Sequence, residues 1–334
     1  MVEDANLLQV MNLSVQFDTY HGRVEAIDEA SLMIKEGEVI GLVGESGCGK
    51  TTMAKAILNV IPSPPGKISQ GQIFFRGKNL LLMEEKELNF SIRGKAITLI
   101  PQDPLASFNP LFSIGTQLLD IAGRKFEKSA ESQKSKAHQR EIEHKIVHTL
   151  GRVQLPSPEN ILRKYPHELS GGQRQRIMIA IALLTGPLLV IADEPTTFLD
   201  VTIQAQILQI LKQLVREQRV SVLYITHNLA VASHISDRIV VMYAGQIMES
   251  AATRVFFGNP VHPYSRKLLE CLPNAASEIK GIPGSIPSLI NPPKGCRFNT
   301  RCDRVQDQCY QKRPPLEEIE SGHWTYCYNP WIKN

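Results

Sequence analysis

Along the first forty residues, apolar positions fall at nearly alternate steps. Leu8, Val10, Leu13, Val15 and Phe17 carry the pattern, with one slip near Asn12. A period of two predicts a half-buried strand, and 26–34 predicts a second. Gly37-Glu38 is a turn, and 39–43 is a short strand apolar throughout, as a fully buried strand would be. A Gly-rich stretch follows. A helix is predicted from near Lys50 to a point before Pro62, with 62–66 a loop and 72–75 and 96–100 further strands. From Asp103 to about Pro187 the pattern is helical. Within it, 123–155 is so rich in Lys, Glu, Gln, Ser and His that it predicts a solvated helical face. A five-residue apolar strand at 188–192, an amphipathic helix at 203–216 and strands at 220–225 and 239–243 complete the pattern. Buried strands separated by helices predict an α/β core carrying an inserted helical block.

The pattern changes after about Gly258. The last 76 residues hold 10 of the 21 prolines and five of the six cysteines. Long periodic helices become scarce, so a small loop-rich module beginning near Asn259 is expected.

Composition narrows the function. With 43% hydrophobic and 21% charged residues the chain is ordinary and globular, which excludes disorder and a dense disulfide scaffold. A formal net charge of +4, with no basic run, gives no ground for a nucleic-acid-coating protein. The first residues are acidic and lack the apolar core of a secretory signal. The longest apolar stretch, 177–192, is broken by Thr185-Gly186-Pro187 and falls short of the ~20 residues that span a bilayer. A soluble, cytosolic protein is expected, with its cysteines as free thiols or metal ligands. His144 and His148 share a helical face but lack an evident third ligand, so a solvated face is the better reading.

Three short strings carry chemistry. Gly44-Glu45-Ser46-Gly47-Cys48-Gly49-Lys50-Thr51 fits the phosphate-loop pattern and lies between a predicted strand and a predicted helix. Its glycines let backbone N–H groups curl around a triphosphate, and the helix start adds partial positive charge. Lys50 can reach the β- and γ-phosphates, and the Thr51 hydroxyl can ligate magnesium. Asp193-Glu194 ends the apolar strand at 188–192, where open α/β sheets bind ligands. Asp193 would hold magnesium, directly or through water, and Glu194 would polarise the attacking water. Leu169-Ser170-Gly171-Gly172-Gln173 begins an apolar helix and forms a second anion site, with Ser170 at or near its N-cap. Cys48 lies beside Lys50 and a helix start, so a lowered thiol pKa and inhibition by thiol reagents are expected.

At this point the chain resembles the ATP-binding cassette (ABC) ATPases. The resemblance implies a P-loop ATPase cassette: a RecA-like α/β core, an antiparallel β subdomain and a helical insertion. It places the nucleotide-binding domain at 1–258, with its helical subdomain at about 103–187, and a cysteine-containing extension at 259–334. It implies catalytic roles for Lys50, Gln102, Glu194 and His227. Magnesium would be held by Thr51, Gln102 and Asp193. ATP contacts would come from Tyr20, Gly44, Ser46, Gly47, Cys48, Gly49, Lys50, Thr51, Thr52, Gln102 and Asp193, and from Ser170, Gly172 and Gln173 of a second cassette docked head to tail. Phe17 rivals Tyr20 as the adenine stacker. Phe198-Leu199-Asp200 matches the loop after the acid pair, with Phe198 where alanine is usual.

Further strings resemble one branch, the oligopeptide, dipeptide and nickel importer ATPases. They are residues 100–110 (Ile-Pro-Gln-Asp-Pro-Leu-Ala-Ser-Phe-Asn-Pro), His262-Pro263-Tyr264-Ser265 and 292–298. The likeness runs from about Leu7 to Cys327. It implies a second, related ATPase, two transmembrane permeases, an extracytoplasmic substrate-binding protein and a peripheral place on the cytoplasmic side of the membrane. It does not separate the three substrates. Cys296, Cys302, Cys309 and Cys327 lack the short knuckles of zinc modules, and the branch implies a four-iron four-sulfur cluster, with zinc the alternative. Cys271 stands outside that spacing and is expected to be a buried small hydrophobe. The competing readings are a soluble cassette ATPase of DNA repair or translation with a zinc-type module, and an ATP-binding protein without turnover. Intact Glu194 and His227 argue against the second.

Overall fold

The computed structural model describes residues 6–126, 136–197, 199–272 and 281–332. Its strands are β1 (Asn6–Thr19), β2 (Gly22–Lys35), β3 (Val39–Val43), β4 (Gly66–Phe75), β5 (Lys78–Asn79), β6 (Ile97–Ile100), β7 (Leu189–Asp193), β8 (Ser221–Thr226), β9 (Arg238–Tyr243), β10 (Gln246–Ala252), β11 (Glu317–Glu320) and β12 (His323–Thr325). The main helices are α1 (Lys50–Ile57), α2 (Ile114–Phe126), α3 (Lys136–Arg152), α4 (Pro158–Arg163), α5 (Gly171–Leu184), α6 (Val201–Gln218), α7 (Leu229–Ile235), α8 (Thr253–Gly258) and α9 (Pro263–Glu270). They fall into two compact units, one of residues 1–83 with 223–334 and the other of 84–222.

In the first unit, β2, β1, β4 and β5 form an antiparallel sheet in that order. The slip at Asn12 is a bulge: the β1–β2 register shifts between Val10 and Leu13, and Asn12 has φ 47°. Asparagine tolerates that left-handed geometry. The Ser31 hydroxyl accepts from the Asn12 N–H at 2.9 Å and donates to its side-chain oxygen at 3.1 Å, so the bulge leaves neither group unpaired. β2 begins at Gly22 rather than near Ala26, because its first residues pair at the hairpin while facing solvent. There Arg23 meets Asp18 at 3.0 Å.

The same unit carries the strands β11-β12-β10-β9-β3-β8 in that order. β3 runs parallel to β9, and β3 is buried along its whole length. Covered on both faces, such a strand needs an unbroken apolar run. β10, β11 and β12 were not legible in the pattern. β10 carries a fully buried Glu249, and β11 is a short, largely exposed edge strand with three glutamates, a common way to blunt an edge.

Glu249 shows why an acid can lie in that core. Its carboxylate accepts from the Val261 N–H (3.0 Å), the His262 N–H (2.8 Å) and His323 Nε2 (2.7 Å). Leaving a buried polar group without its hydrogen-bond partner costs about 1–3 kcal/mol, and more for a charged one. The neighbouring His262 ring accepts from the Tyr264 N–H and so caps α9. Burial holds this imidazole down at about 4, against an ordinary 6.5, and nearby Glu249 offsets only part of the effect. The unfolded chain then binds protons more readily than the folded one. Stability is full above about pH 6.5 and falls as the pH drops toward 4. Between pH 7.5 and 5 this group alone should remove on the order of 2 kcal/mol. Urea unfolding followed by circular dichroism should show that extra acid sensitivity in the wild type and not in His262→Asn.

In the second unit, β6 pairs in parallel with β7, from Ile97 opposite Leu189 to Ile100 opposite Ala192. Helix α5 packs against β6, and α2, α3, α4 and α6 pack on α5 or on one another. α3 buries Ile142, Ile146 and Leu150 and exposes His144 and His148, as a solvated amphipathic helix should. The expected solvated block at 123–155 also covers 127–135, which lie outside the described residues. Arg176 ties this unit together, donating to the Val153 and Gln154 carbonyls and to the Gln206 side chain.

Candidate active site

The phosphate loop is shaped by glycines that accept no side chain. Gly44 has φ +153°, and a Cβ there would lie 2.0 Å from the Met242 carbonyl oxygen. Gly49 has φ +107°, and its Cβ would lie 2.7 Å from the Ala26 carbonyl oxygen. Lys50 is buried, and its ammonium donates to the Gly44 and Glu45 carbonyls at 2.8 and 3.1 Å. The ammonium thus lies inside the curl of the loop. α1 opens at Lys50 with Gly49 as its N-cap, so the cap residue supplies no side-chain hydrogen bond. An uncapped helix start behind a curled loop is suited to phosphate. Ser46, Gly47 and Thr51 are exposed around this curl, and Thr52 is half-buried.

Cys48 corrects an expectation. It is only 1% exposed, and burial pushes its thiol pKa up from 9.0, outweighing the pull of Lys50. The lysine is near, with Nζ 3.8 Å from the sulfur, but a desolvated thiolate costs more than this cation returns. Cys48 should therefore resist modification in the native protein. Mass spectrometry after a brief pulse of a maleimide should find it labelled at least ~100-fold more slowly than in denaturant.

Gln102, Asp193, Glu194 and the Ser170 turn lie in the second unit. Asp193 is buried at the end of β7. Glu194 follows at φ 48°, a left-handed conformation rare for glutamate and a form of backbone strain found at functional sites. The Gln102 amide donates to its carboxylate at 3.5 Å, and the Thr197 hydroxyl donates at 3.0 Å. The loop after β6 and the turn after β7 are thereby joined, and Gln102 itself is exposed. Ser170 is the N-cap of α5: its hydroxyl accepts from the Gln173 N–H at 3.2 Å, and Gln173 accepts from the Ser170 N–H at 3.0 Å. This capping box fixes the turn. A Cβ on Gly172 would come within 2.9 Å of Ile203 Cγ2, so the turn lies close against α6. Phe198 lies outside the described residues. Leu199 is half-buried, and Asp200 caps α6 through the Ile203 N–H at 2.9 Å.

Back in the first unit, His227 is exposed after β8, just ahead of Asn228, the cap of α7. Tyr20 stands fully exposed at the tip of the β1–β2 hairpin. Phe17 is half-buried, its ring edge 2.7 Å from where a Gly66 Cβ would stand. Of the two rings, Tyr20 is the more exposed.

The four late cysteines lie near enough to influence one another's thiols. Cys302, Cys309 and Cys296 each help raise the Cys327 thiol, after burial, to about 12, and burial with Cys309 and Cys302 does the same for Cys296. Backbone N–H groups point at the sulfurs: Arg304 to Cys302 and Asn329 to Cys327, each at 3.4 Å, and Gln306 to Cys309 at 3.5 Å. Such donors stabilise ligating thiolates. Among the described residues, no group of three or more His, Cys, Asp or Glu side chains comes together as one metal ion requires. Cys271 is half-buried rather than buried, and burial raises its thiol pKa.

Arginines anchor this module, and no local pattern marks them. Arg297 donates to the Ala244 carbonyl at 2.6 Å and to the Glu25 carboxylate at 2.7 Å. Arg301 donates to the Glu45 carboxylate in the phosphate loop. Partners 272 and 256 residues apart leave no local signal.

With this geometry in hand, the chain can be compared with known proteins. Residues 27–197 match the family model for ABC transporter, and the chain belongs to that family. Residues 248–309 match a second model, the C-terminal region of oligopeptide/dipeptide transporters. The chain is 41% identical to the oligopeptide transport ATP-binding protein OppD of Bacillus subtilis strain 168, over 97% of this chain and 89% of that protein. It is 38% identical to the dipeptide transport ATP-binding protein DppD of Escherichia coli K12, over 97% of both. Among solved structures it resembles the dimeric ATP-binding cassette MJ0796 bound to ADP and phosphate, with TM-score 0.64 and 26% identity over 74% of this chain and 99% of that one. These likenesses favour the transporter reading over an ATPase of DNA repair or translation.

Proposed function

We propose that this chain is the ATP-hydrolysing subunit of a membrane importer of dipeptides and oligopeptides. The observation that carries the reading is the buried Lys50 ammonium held within a glycine-shaped loop at an uncapped helix start. Phosphoryl transfer to water depends mainly on positioning and charge neutralisation. Lys50 and the loop N–H groups take the phosphates, and Tyr20 stacks on adenine. Glu194, oriented by Gln102 and Thr197, accepts a proton from the attacking water. His227 contacts the γ-phosphate. Thr51, Gln102 and Asp193 fit magnesium by their oxygen donors; when bound, the ion neutralises phosphate charge. Ser170, Gly172 and Gln173 face the ATP of a second cassette, which explains two anion sites far apart in one sequence. Lys50→Ala should abolish Mg-ATP binding in isothermal titration; undiminished binding would refute the reading.

The cassette is residues 1–258, with its helical part at 103–187, and 259–334 is the extension. Its partners are a second ATPase subunit, two permeases and an extracytoplasmic binding protein, and the chain sits peripherally on the cytoplasmic side of the membrane. No helix among the described residues is long and apolar enough to cross a membrane. Docking to a permease is supported by apolar side chains left exposed just after Gln102, with Leu111 79% and Phe112 50% exposed. Replacing both by Asp should release the chain from membranes in co-sedimentation while ATP binding persists.

Cys296, Cys302, Cys309 and Cys327 hold a four-iron four-sulfur cluster. Three of the four, Cys296, Cys309 and Cys327, are buried, and backbone N–H groups reach the sulfurs of Cys302, Cys309 and Cys327, which supports thiolate ligands. When bound, it would staple four stretches of the extension through iron–sulfur bonds. A structural role is favoured over electron transfer, because no motif in the sequence points to a redox partner.

A further inference from the structure

Glu45 places a carboxylate within the loop that is to hold a polyanion. Among residues 44–51 its charge cancels that of Lys50. The structure supplies a third charge. Arg301 grips Glu45 with both arms of its guanidinium, Nη1 to Oε2 at 2.8 Å and Nη2 to Oε1 at 3.2 Å. Such forked pairs fix direction as well as charge.

The arginine is the fixed partner. Its Nε donates to the Pro283 carbonyl and its Nη2 to the Ile282 carbonyl, both at 3.0 Å, and Nη1 donates to the Tyr243 hydroxyl at 3.1 Å. Its side chain is 3% exposed, against 27% for Glu45. Glu45 is held at its backbone too, for its N–H donates to the Tyr264 hydroxyl at 3.0 Å. Both holds come from beyond residue 258, and Arg301 immediately precedes Cys302.

We propose that Arg301 is a positioning residue for nucleotide binding: it neutralises and aims Glu45, so that the cysteine module completes the phosphate loop and leaves it net cationic. The proposal rests on reading 44–51 as the ATP phosphate loop. Without Arg301 the loop would meet ATP with no net positive charge. With Glu45 neutral and Arg301 present, the loop would gain positive charge.

Isothermal titration of the full chain with Mg-ATP, Mg-ADP and adenosine tests this. Arg301→Gln should weaken Mg-ATP about tenfold and Mg-ADP about threefold and leave adenosine unchanged, because the penalty follows phosphate charge. Glu45→Gln alone should tighten Mg-ATP about threefold. The double variant should return to within about threefold of wild type, since replacing both partners leaves no unpaired charge. Unchanged binding in Arg301→Gln, equal weakening toward adenosine, or a double variant as weak as Arg301→Gln would overturn the proposal. If Arg301→Gln does not fold, Glu45→Gln decides by its sign, and weaker Mg-ATP binding would overturn the proposal. Lys50→Ala separates the two readings. If it binds Mg-ATP like wild type, the phosphate-loop reading itself fails; if it loses binding while Arg301→Gln does not, only the role of Arg301 fails.

Discussion

Glu194→Gln is expected to lower steady-state ATP hydrolysis by about 10²–10⁴-fold while Mg-ATP still binds. The amide keeps the size and shape of the side chain and can still donate and accept, but it cannot take a proton from water. The strained φ of 48° and the Gln102 and Thr197 contacts mark this carboxylate as held in one direction. Loss of turnover with retained binding is the pattern of a group needed only in the transition state. Phosphate release and nucleotide titration on the same preparation check it. A Glu194→Gln chain that hydrolyses ATP normally would remove this residue from the chemistry.

The second large effect is expected at the cysteine module. Cys309→Ser should strip the proposed cluster and lower the melting temperature by roughly 5–10 °C. Cys309 is buried, its sulfur receives the Gln306 N–H, and its carbonyl accepts from the Cys296 N–H at 2.9 Å. Gly295 approaches that same carbonyl so closely that a Cβ would lie 2.1 Å from it. The module is therefore packed around this residue. Protein purified without oxygen should show broad visible absorbance and about four irons per chain. Cys271→Ser, outside the set, should keep both. A colourless wild type with one zinc and no iron would contradict the cluster.

What the sequence made legible was short in range. The bulge at Asn12, the loop at 44–51, the acid pair and the Ser170 turn each depend on residues within a few positions of one another. Their geometry is set by local backbone rules. What escaped depended on distant partners. Glu249 broke the apolar pattern of β10 because three groups brought from elsewhere in the chain satisfy it. Arg297 and Arg301 looked like any charged residues until folding set them against Glu25 and Glu45. Cys48 went wrong for a related reason. Lysine and helix start were visible in the string, but the burial that desolvates the thiol was not.

The arginine anchors also change what the extension is for. A module that only stapled its own loops would have no cause to reach the phosphate loop. Arg301, Tyr264 and the Gly245 N–H, which donates to the Cys48 carbonyl at 2.8 Å, converge on residues 45–48. Three parts of the first unit thus fix the loop before any nucleotide arrives, and preorganisation of this kind raises affinity.

The most direct test of the central claim is uptake of a radiolabelled dipeptide and tripeptide by whole cells lacking this chain. Uptake should be lost, return with the wild-type chain and not return with Glu194→Gln. Uptake that survives the loss of the chain, or that Glu194→Gln restores, would contradict it.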